Sequence, residues 1–345
     1  LHSFPTRRSS DLYKMHVVSG EWTYRWQPTV TSRHEFSPLT VKYQFKNTTT
    51  AKYDSVVYNN PYLAVTMDDY LIPTMRYTYT YTSPATLRHP IRWESTIEES
   101  GNITSLIDLA RGKSYNEKYK TIFKAPYAQF LRVETDLTKT WSLNTVSKLV
   151  AHLNTGIIYS FGNCDDAPIS ELFYVGGANS IRAFSMRDIG PGRLPEFGTK
   201  SRQYAFVYRN GDLKLVANLE YRAPLFGNLE GAVFLDAGNV WRLNTNKLLD
   251  VNDFEDNIET GITAQEQYED EKQFYDMMQF KPSRLFEDLA LGTGIGLRYN
   301  LGFLVVRLDW GIALHFPYDT GKSGYFNINR FKDAHTLHFA IGYLF

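Results

Sequence analysis

The sequence predicts an all-β protein, a transmembrane antiparallel β-barrel, on three observations. Apolar and polar residues alternate with period 2 along most of the chain, as they do in strands whose two faces meet different surroundings. Short and long links alternate between the predicted strands. No apolar run of about 18 residues is present, so no helix is predicted to span a membrane. A barrel in which only alternate residues face lipid is consistent with all three.

The composition argues against a nucleic-acid partner. The 345 residues carry 37 Lys and Arg against 37 Asp and Glu, for a formal net charge of +0. A surface that binds nucleic acid would be basic, so we expect no such partner. The single cysteine, Cys164, cannot form an intrachain disulfide and therefore says little about the redox compartment.

The first twelve residues differ from the rest of the chain. Leu1–Leu12 lacks the apolar core and the cleavage site of a secretory signal, and it resembles the translation of a sequencing adapter. We therefore expect residues 1–12 to be an artefact of sequence assembly. The remaining residues, 13–345, are expected to be the C-terminal part of a barrel domain whose N-terminal strands are missing.

About eleven strands of roughly ten residues each are predicted from the alternation. An odd number is unexpected for a closed single-chain barrel, which agrees with missing upstream strands. In chain order the predicted strands are His16–Thr29, Glu35–Lys46, Leu71–Thr82, Arg92–Ile103, Tyr127–Leu137, Leu149–Tyr159, Leu213–Leu225, Leu229–Trp241, Leu291–Asn300, Phe303–Leu314 and Leu337–Phe345.

The links between these strands alternate in length. Short turns on one rim and long loops on the other are typical of membrane barrels, whereas a soluble sandwich has no reason to sort its loops in this way. The short links lie near residues 83–90, 141–144, 226–228 and 300–302, and the long links span residues 47–69, 101–124, 161–210, 242–288 and 315–335.

One long link interrupts the strand pattern with a glycine-rich motif. Within Phe173–Pro191, two glycine-containing pairs mark turns, and Arg182 lies close to the apolar residues Ile181 and Phe184. A loop with this much apolar character is expected to fold back onto the protein.

Three motifs together resemble the BamA/TamA family of outer-membrane assembly factors, the bacterial surface antigen family. The loop motif Gly176–Phe184 resembles the family's Gly-Gly … Val/Ile-Arg-Gly-Phe/Tyr loop. The strand Gly231–Trp241 resembles its Phe-x-Asp-x-Gly-x-x-Trp strand. The closing strands and terminal Phe345 resemble the end of its barrel. Ala183 stands where the family usually has glycine.

The resemblance implies a sixteen-stranded barrel, of which this chain supplies strands six to sixteen. Residues 161–210 would then be the sixth extracellular loop, folded into the barrel lumen. In the family, the loop arginine pairs with the strand aspartate, which are Arg182 and Asp236 here. The alternation places Asp236 on the inward polar face, together with Glu220.

The residues singled out fall into three groups. The loop motif comprises Gly176, Gly177, Ile181, Arg182, Ala183 and Phe184. Its expected partners in the lumen are Asp236, Phe234 and Glu220. The last strand ends in alternating apolar residues that resemble the signal for barrel insertion, namely Phe339, Ile341, Tyr343 and Phe345.

Patterns that indicate catalysis or metal binding are weak. His335 and His338 would face opposite sides of a strand, Asp165 and Asp166 fit a solvated loop, and Gly321-Lys322-Ser323 lacks the upstream glycine of a phosphate-binding loop. No Gly-x-Ser-x-Gly motif is present. We therefore expect no enzyme activity, no metal and no cofactor.

The resemblance implies a factor that inserts, assembles or translocates proteins at the cell outer membrane through a weak seam between its first and last strands. Its expected partners are outer-membrane lipid, client outer-membrane or secreted proteins, upstream POTRA domains, and periplasmic or accessory subunits. A two-partner-secretion transporter or another pore-forming transporter is the alternative. An outer-membrane enzyme and a soluble β protein remain open as weaker alternatives.

Overall fold

The computed structural model describes residues 6–9, 13–49, 69–84, 86–115, 117–122, 124–195, 209–243, 263–343 and 345. Among these residues, twelve strands form one sheet in the order β1–β5, β8–β14, so neighbours in the chain are neighbours in the sheet. The pairs from β1 to β5 and from β10 to β14 are antiparallel. The all-β prediction is confirmed.

The strands of the sheet are β1 (Thr6–Ser9), β2 (Tyr13–Thr29), β3 (Ser32–Thr49), β4 (Tyr70–Thr82), β5 (Ile91–Ser100), β8 (Phe130–Ser142), β9 (Lys148–Ser160), β10 (Leu213–Phe226), β11 (Leu229–Trp241), β12 (Ala290–Asn300), β13 (Val305–His315) and β14 (His335–Ile341). The short strands β6 (Thr121–Ile122) and β7 (Ala125–Pro126) pair with each other. The helices are α1 (Asn102–Ala110), α2 (Ala264–Met278) and α3 (Leu285–Asp288), with 3₁₀ turns at Pro282–Arg284 and Phe331–Asp333.

Two predicted strands end earlier than expected, both because of a glycine. The strand predicted to reach Ile103 ends at Ser100, because Gly101 has a φ of 76° and starts α1. The strand predicted to reach Phe345 ends at Ile341, because Gly342 has a φ of 86°. A positive φ at either site would be costly for a residue with a Cβ.

Part of the predicted artefact is placed in the sheet. Thr6–Ser9 forms β1, which pairs with Lys14–Val17 of β2. Residues 1–5 and 10–12 lie outside the described residues, as do residues 50–68, 196–208 and 244–262 of the predicted long links. The prediction that residues 1–12 are an assembly artefact stays a prediction.

The chain divides into two compact units. The first comprises residues 1–137 and 156–172, and the second comprises residues 138–155 and 173–345. No helix in the described residues is long and apolar enough to cross a membrane.

In the first unit, one face of the sheet is polar and surrounds a cavity of about 610 Å³ lined by charged and hydroxyl side chains. Glu171, in the link after β9, is buried against this polar face, 3.1 Å from Lys42 Nζ and 3.6 Å from Arg132. Burial alone would raise the pKa of Glu171, but the charges of Lys42 and Arg132 lower it below its usual value. The carboxylate is therefore held ionised inside the fold.

The link after β9 is anchored by Cys164. The Gln129 backbone N–H donates to the Cys164 sulfur at 3.2 Å, and the thiol donates back to the Gln129 carbonyl at 3.3 Å. The neighbouring Asp166, which the sequence suggested would be solvated, is buried, while Asp165 accepts a hydrogen bond from Lys118. The expectation of a solvated loop is wrong at Asp166 because this link packs against the start of β8.

In the second unit, the strand register aligns residues of β10–β14 in cross-strand rows. One row is Glu220, Phe234, Gly294, Gly311 and Thr336. The next row on the same face is Arg222, Ala232, Gly296, Asp309 and His338. Side chains of the opposite face are apolar and exposed, among them Leu235, Ile295, Trp310 and Leu337. The polar face of β10–β14 therefore combines charged side chains with several glycines.

Burial of Cys164 predicts low thiol reactivity. Burial raises the pKa of this thiol to about 12. Since the thiolate is the reactive form, we expect the folded protein to resist maleimide at about pH 8 and the denaturant-unfolded protein to react. Above about pH 8.5 the thiol ionises in the unfolded chain but stays protonated in the folded protein. This ionisation stabilises the unfolded chain and therefore lowers the free energy of unfolding at alkaline pH.

The measurement is the rate of labelling, followed by mass spectrometry. A thiol introduced by Val146→Cys is the control, because Val146 is 60% exposed in a short link. Equal labelling rates at the two thiols in the folded protein would contradict the described burial.

Candidate functional site

The motif loop forms a compact turn closed by its own backbone. The Gly177 N–H donates to the Phe184 carbonyl at 2.8 Å, and the Ser180 N–H donates to the Gly177 carbonyl at 3.1 Å. Gly176 and Gly177 have φ values of 94° and 90°, and a Cβ at Gly176 would overlap the Ser185 carbonyl. The paired glycines are therefore required by conformation at both positions and also by space at Gly176.

This turn projects Arg182 onto the polar face of β10 and β11, where its side chain is fully buried. Its Nε and Nη2 atoms donate to the two carboxylate oxygens of Asp236, each at 2.8 Å. The Arg182 backbone N–H also donates to Asp236 at 3.0 Å. The planar guanidinium thus matches the carboxylate with two parallel bonds, a geometry that lysine cannot reproduce.

Two more predicted residues complete the surroundings of Arg182. Its Nη1 atom donates to Glu220, and its guanidinium carbon lies 3.6 Å from the centre of the Phe234 ring. Asn218 donates to Asp236 and to the Ser180 carbonyl, each at 2.8 Å. The structure therefore brings Arg182 together with Asp236, Glu220 and Phe234. Asn218 joins them although the sequence did not single it out.

The charges extend across the polar face into a cluster, which we call the arginine cluster: Arg182, Arg222, Arg298, Arg307, Glu220, Asp236 and Asp309. Glu220 accepts from Arg222 at 2.6 Å and from Arg298 at 3.1 Å, and Asp309 accepts from Arg298 at 2.6 Å. Arg307 donates to the Asn179 side chain at 2.7 Å and lies 3.2 Å from Asp309. The cluster links the loop to four strands.

The electrostatics of the cluster keep Arg182 charged. Burial alone would lower the pKa of Arg182, but its hydrogen bonds with Asp236 and the charges of Asp236 and Glu220 raise that pKa above its usual value. Four arginines face three carboxylates, so the cluster carries one excess positive charge. Among the described residues, no group of three or more His, Cys, Asp or Glu could hold a metal ion.

Four glycines of β12 and β13 leave space on the polar face, and we call them the glycine row although they lie in several cross-strand rows: Gly292, Gly294, Gly296 and Gly311. Two of them, Gly292 and Gly311, border the loop. A Cβ at Gly311 would overlap the Arg182 carbonyl oxygen, and a Cβ at Gly292 would overlap the side chain of Ala183. Ala183 is buried and is not among the residues with positive φ. Its extra methyl group therefore fills space above Gly292 without backbone strain.

The two apolar residues that flank Arg182 anchor the loop further. Ile181 is fully buried. A Cβ added at Gly238 would lie only 3.1 Å from the Ile181 Cδ1 atom. The Phe184 ring lies 5.4 Å from that of Phe316 in an edge-on arrangement. Such ring pairs stabilise a fold by roughly 1 kcal/mol in addition to the effect of burying their apolar surface.

The link 242–288 contributes contacts that the sequence did not predict. Asp288 accepts hydrogen bonds from Trp241 Nε1 at 3.0 Å and from Arg193 Nε at 2.7 Å. The Arg193 N–H donates to the Met277 carbonyl at 2.9 Å. No signal in the sequence identifies Asp288, because its partners lie 47 and 95 residues away.

The predicted C-terminal residues separate into two pairs. Phe339 and Ile341 lie on β14 and are 69% and 70% exposed on its apolar face. Tyr343 and Phe345 do not continue that face. The Tyr343 hydroxyl donates to Glu230 at 2.8 Å, and both rings lie near Arg222, at 4.7 and 5.2 Å. The prediction that all four share one face is wrong, because Gly342 turns the chain toward the polar side.

Comparison with known protein families matches residues 125–345 to the Omp85 superfamily domain. The chain belongs to the Omp85 superfamily. The matched region contains the motif loop, the arginine cluster and the strands β8–β14. The resemblance read from the three motifs is confirmed at the level of this superfamily.

Similar solved structures support the same fold. BamA from Haemophilus ducreyi lacking POTRA domains 1–3 matches with a TM-score of 0.58 and 14% identity, over 98% of this chain and 57% of that one. CdiB from Escherichia coli matches with a TM-score of 0.50 and 9% identity, over 98% and 48% of the two chains. A search of curated proteins finds no match. The Omp85 chain described here thus spans a little over half the length of that BamA structure.

Reversing the charge of Arg182 is expected to destabilise the fold. Arg182→Glu places a third carboxylate beside Asp236 and Glu220, and a broken buried pair costs about 3–5 kcal/mol. Adding Asp236→Arg to Arg182→Glu should restore part of this loss. The measurement is the denaturant midpoint of tryptophan fluorescence in detergent micelles.

Met186→Glu is the matched control, since Met186 lies in the same loop and is 59% exposed. It should shift the midpoint little. If the single and the double charge reversals have the same midpoint, the Arg182–Asp236 pair does not stabilise the fold.

The glycine row predicts a steric effect of one methyl group. Gly311→Ala should displace the loop, because its Cβ overlaps the Arg182 carbonyl, and should destabilise by about 1–3 kcal/mol. Gly20→Ala is the control, because no heavy atom lies within 4 Å of a Cβ there. Proteolysis of the loop, followed by mass spectrometry, reports its displacement. Equal protection in the two variants would contradict the packing described here.

Proposed function

We propose that the chain is the C-terminal part of an outer-membrane factor that inserts or assembles other β-barrel proteins, or translocates them. The observation that carries this proposal is the motif loop, which Arg182 and Asp236 hold on the polar face of a sheet of the Omp85 superfamily. β14 pairs with β13 over His335–Ile341 and is the last strand described in this sheet. Membership of the superfamily and the likeness to BamA support the same function.

The proposed mechanism acts at the seam of the barrel, to which β14 contributes the last strand. An unpaired strand edge presents a row of N–H and C=O groups that can pair with an incoming strand. In the proposed cycle, the seam at β14 opens, its edge templates a strand of the client, and the client leaves when its own strands have paired. Hydrogen bonding supplies the driving force, so the protein acts without enzyme chemistry.

In this mechanism, the motif loop would keep the strands that precede β14 in place. The arginine cluster ties the loop to β10–β13, the strands that precede β14 in the sheet. Thr336 of β14 donates to the Arg182 carbonyl at 2.7 Å, so the loop also contacts the strand that would open. We propose that the loop holds four strands rigid while β14 moves.

The proposal includes the partners expected from the resemblance. The apolar outward faces of the strands would contact outer-membrane lipid. Client outer-membrane or secreted proteins would pair with β14. POTRA domains upstream of this chain, with periplasmic or accessory subunits, would deliver the client.

A second candidate is a two-partner-secretion transporter or another pore-forming protein. The polar cavity of about 610 Å³ in the first unit favours it, because that cavity is lined by charges of both signs. In this case client chains would pass through the lumen instead of along the β14 edge. The two candidates therefore differ in which residues a client contacts.

Crosslinking at the edge distinguishes the candidates. A photoreactive amino acid replaces Phe339 of β14 in the intact protein, and we expect it to crosslink a client barrel protein arrested during assembly. The same replacement at Leu297 of β12 is the matched control, since that residue is apolar and exposed but lies within the sheet. Crosslinks from Glu94 in the cavity, without crosslinks from Phe339, would contradict insertion and favour the transporter.

A further inference from the structure

Helix α1 is amphipathic, but it exposes its apolar face and buries its polar face. A surface helix on a soluble protein does the opposite. The apolar side chains of α1 are exposed, with Ile103 at 55%, Leu106 at 65% and Ile107 at 47%. Its buried residues are Thr104, Ser105 and Asp108. A helix on a soluble protein buries its apolar stripe, so the exposed face of α1 requires an apolar covering.

The polar face of α1 is directed to the protein and bonded there. The Gln129 side chain donates to Asn102 at 3.0 Å, and the Asn102 N–H donates to Glu99 at 3.4 Å. Asp108 pairs with Lys113 at 3.0 Å. These contacts fix the rotation of α1, so the exposure of its apolar side follows from the fold.

The position of Glu99 shows which face of the sheet α1 adjoins. Glu98 is buried and lies 3.6 Å from Lys42 on the polar face. Successive side chains of a strand point to opposite faces, so Glu99 belongs to the outward face. The exposed residues Trp93 and Ile97 of β5 share that face. The apolar side of α1 thus continues the apolar outward surface of β5.

The segment after α1 adds the groups that favour a membrane interface. Its exposed cations are Arg111, Lys124 and Lys118, of which Lys118 pairs with Asp165. One exposed carboxylate, Glu117, lies among them, and the exposed aromatic residues are Tyr115 and Tyr119. Basic side chains are attracted to the phosphates of anionic lipids, and tyrosine is enriched at the level of the headgroups. The charge of this segment is therefore complementary to a phosphate-bearing lipid surface.

We propose that α1, together with Arg111, Tyr115, Tyr119 and Lys124, forms a lipid-binding surface. It lies in the membrane interface with Ile103, Leu106 and Ile107 among the acyl chains and with the cations at the phosphates. The occupant is the lipid surface itself. The inference rests on the proposed function only in placing the outward face of the sheet in a membrane. It adds a lipid contact made by a helix beyond the end of a strand.

Depth-dependent quenching tests this surface. The intact protein carries a fluorophore on a thiol introduced by Leu106→Cys, and Cys164 is buried and stays unlabelled. The protein is reconstituted in vesicles of phosphatidylcholine, with or without about a third phosphatidylglycerol, containing nitroxide-labelled lipid. We expect quenching at Leu106 to exceed that at the control Phe326→Cys by about threefold, because Phe326 is exposed in another long link.

A third label, Leu297→Cys, reports whether the strands themselves are in the bilayer. Quenching at Leu297 without quenching at Leu106 overturns the lipid-binding surface and leaves the proposed function intact. No quenching at either position overturns both. Stronger quenching at Leu106 in the anionic vesicles supports the role of the cations, and equal quenching in the two vesicle types overturns that role.

Discussion

The bidentate pair of Arg182 and Asp236 is the interaction on which the second unit depends. A guanidinium removed from water is stable only if its charge and its N–H groups are matched, and here Asp236, Glu220 and the Phe234 ring match them. Because Glu220 of β10 also binds Arg298 of β12, this carboxylate links two strands to the loop. A connected set of ion pairs therefore joins the loop to the polar face of the sheet.

That pair in turn constrains residues that carry no charge. The Arg182 carbonyl can approach β13 only because Gly311 has no side chain, and Ala183 packs where Gly292 has none. The cross-strand register places Gly292 opposite Asp236 and Gly311 opposite Gly294, so a slip of one residue would put apolar side chains in the path of the loop. The glycine row and the register are thus two requirements of one packed interface.

The sequence predicted the strands and part of the site for different physical reasons. Alternation located all eleven long strands, because the two faces of each strand differ in polarity. The family resemblance supplied Arg182 and Asp236. Helix α2 escaped prediction because it is polar around most of its circumference, and α1 because its nine residues are too few for a clear helical periodicity. Tyr343 and Phe345 kept the alternation in sequence, but the backbone turn at Gly342 broke it in space.

The hydrogen bond from Thr336 to the Arg182 carbonyl joins β14 to the motif loop as well as to β13. The two residues lie 154 positions apart in the chain. While β14 is unpaired, that carbonyl lacks the Thr336 donor, although Asp236 can bind the guanidinium. Pairing of β14 and the stability of the loop are therefore thermodynamically linked, so that a change in either one alters the free energy of the other.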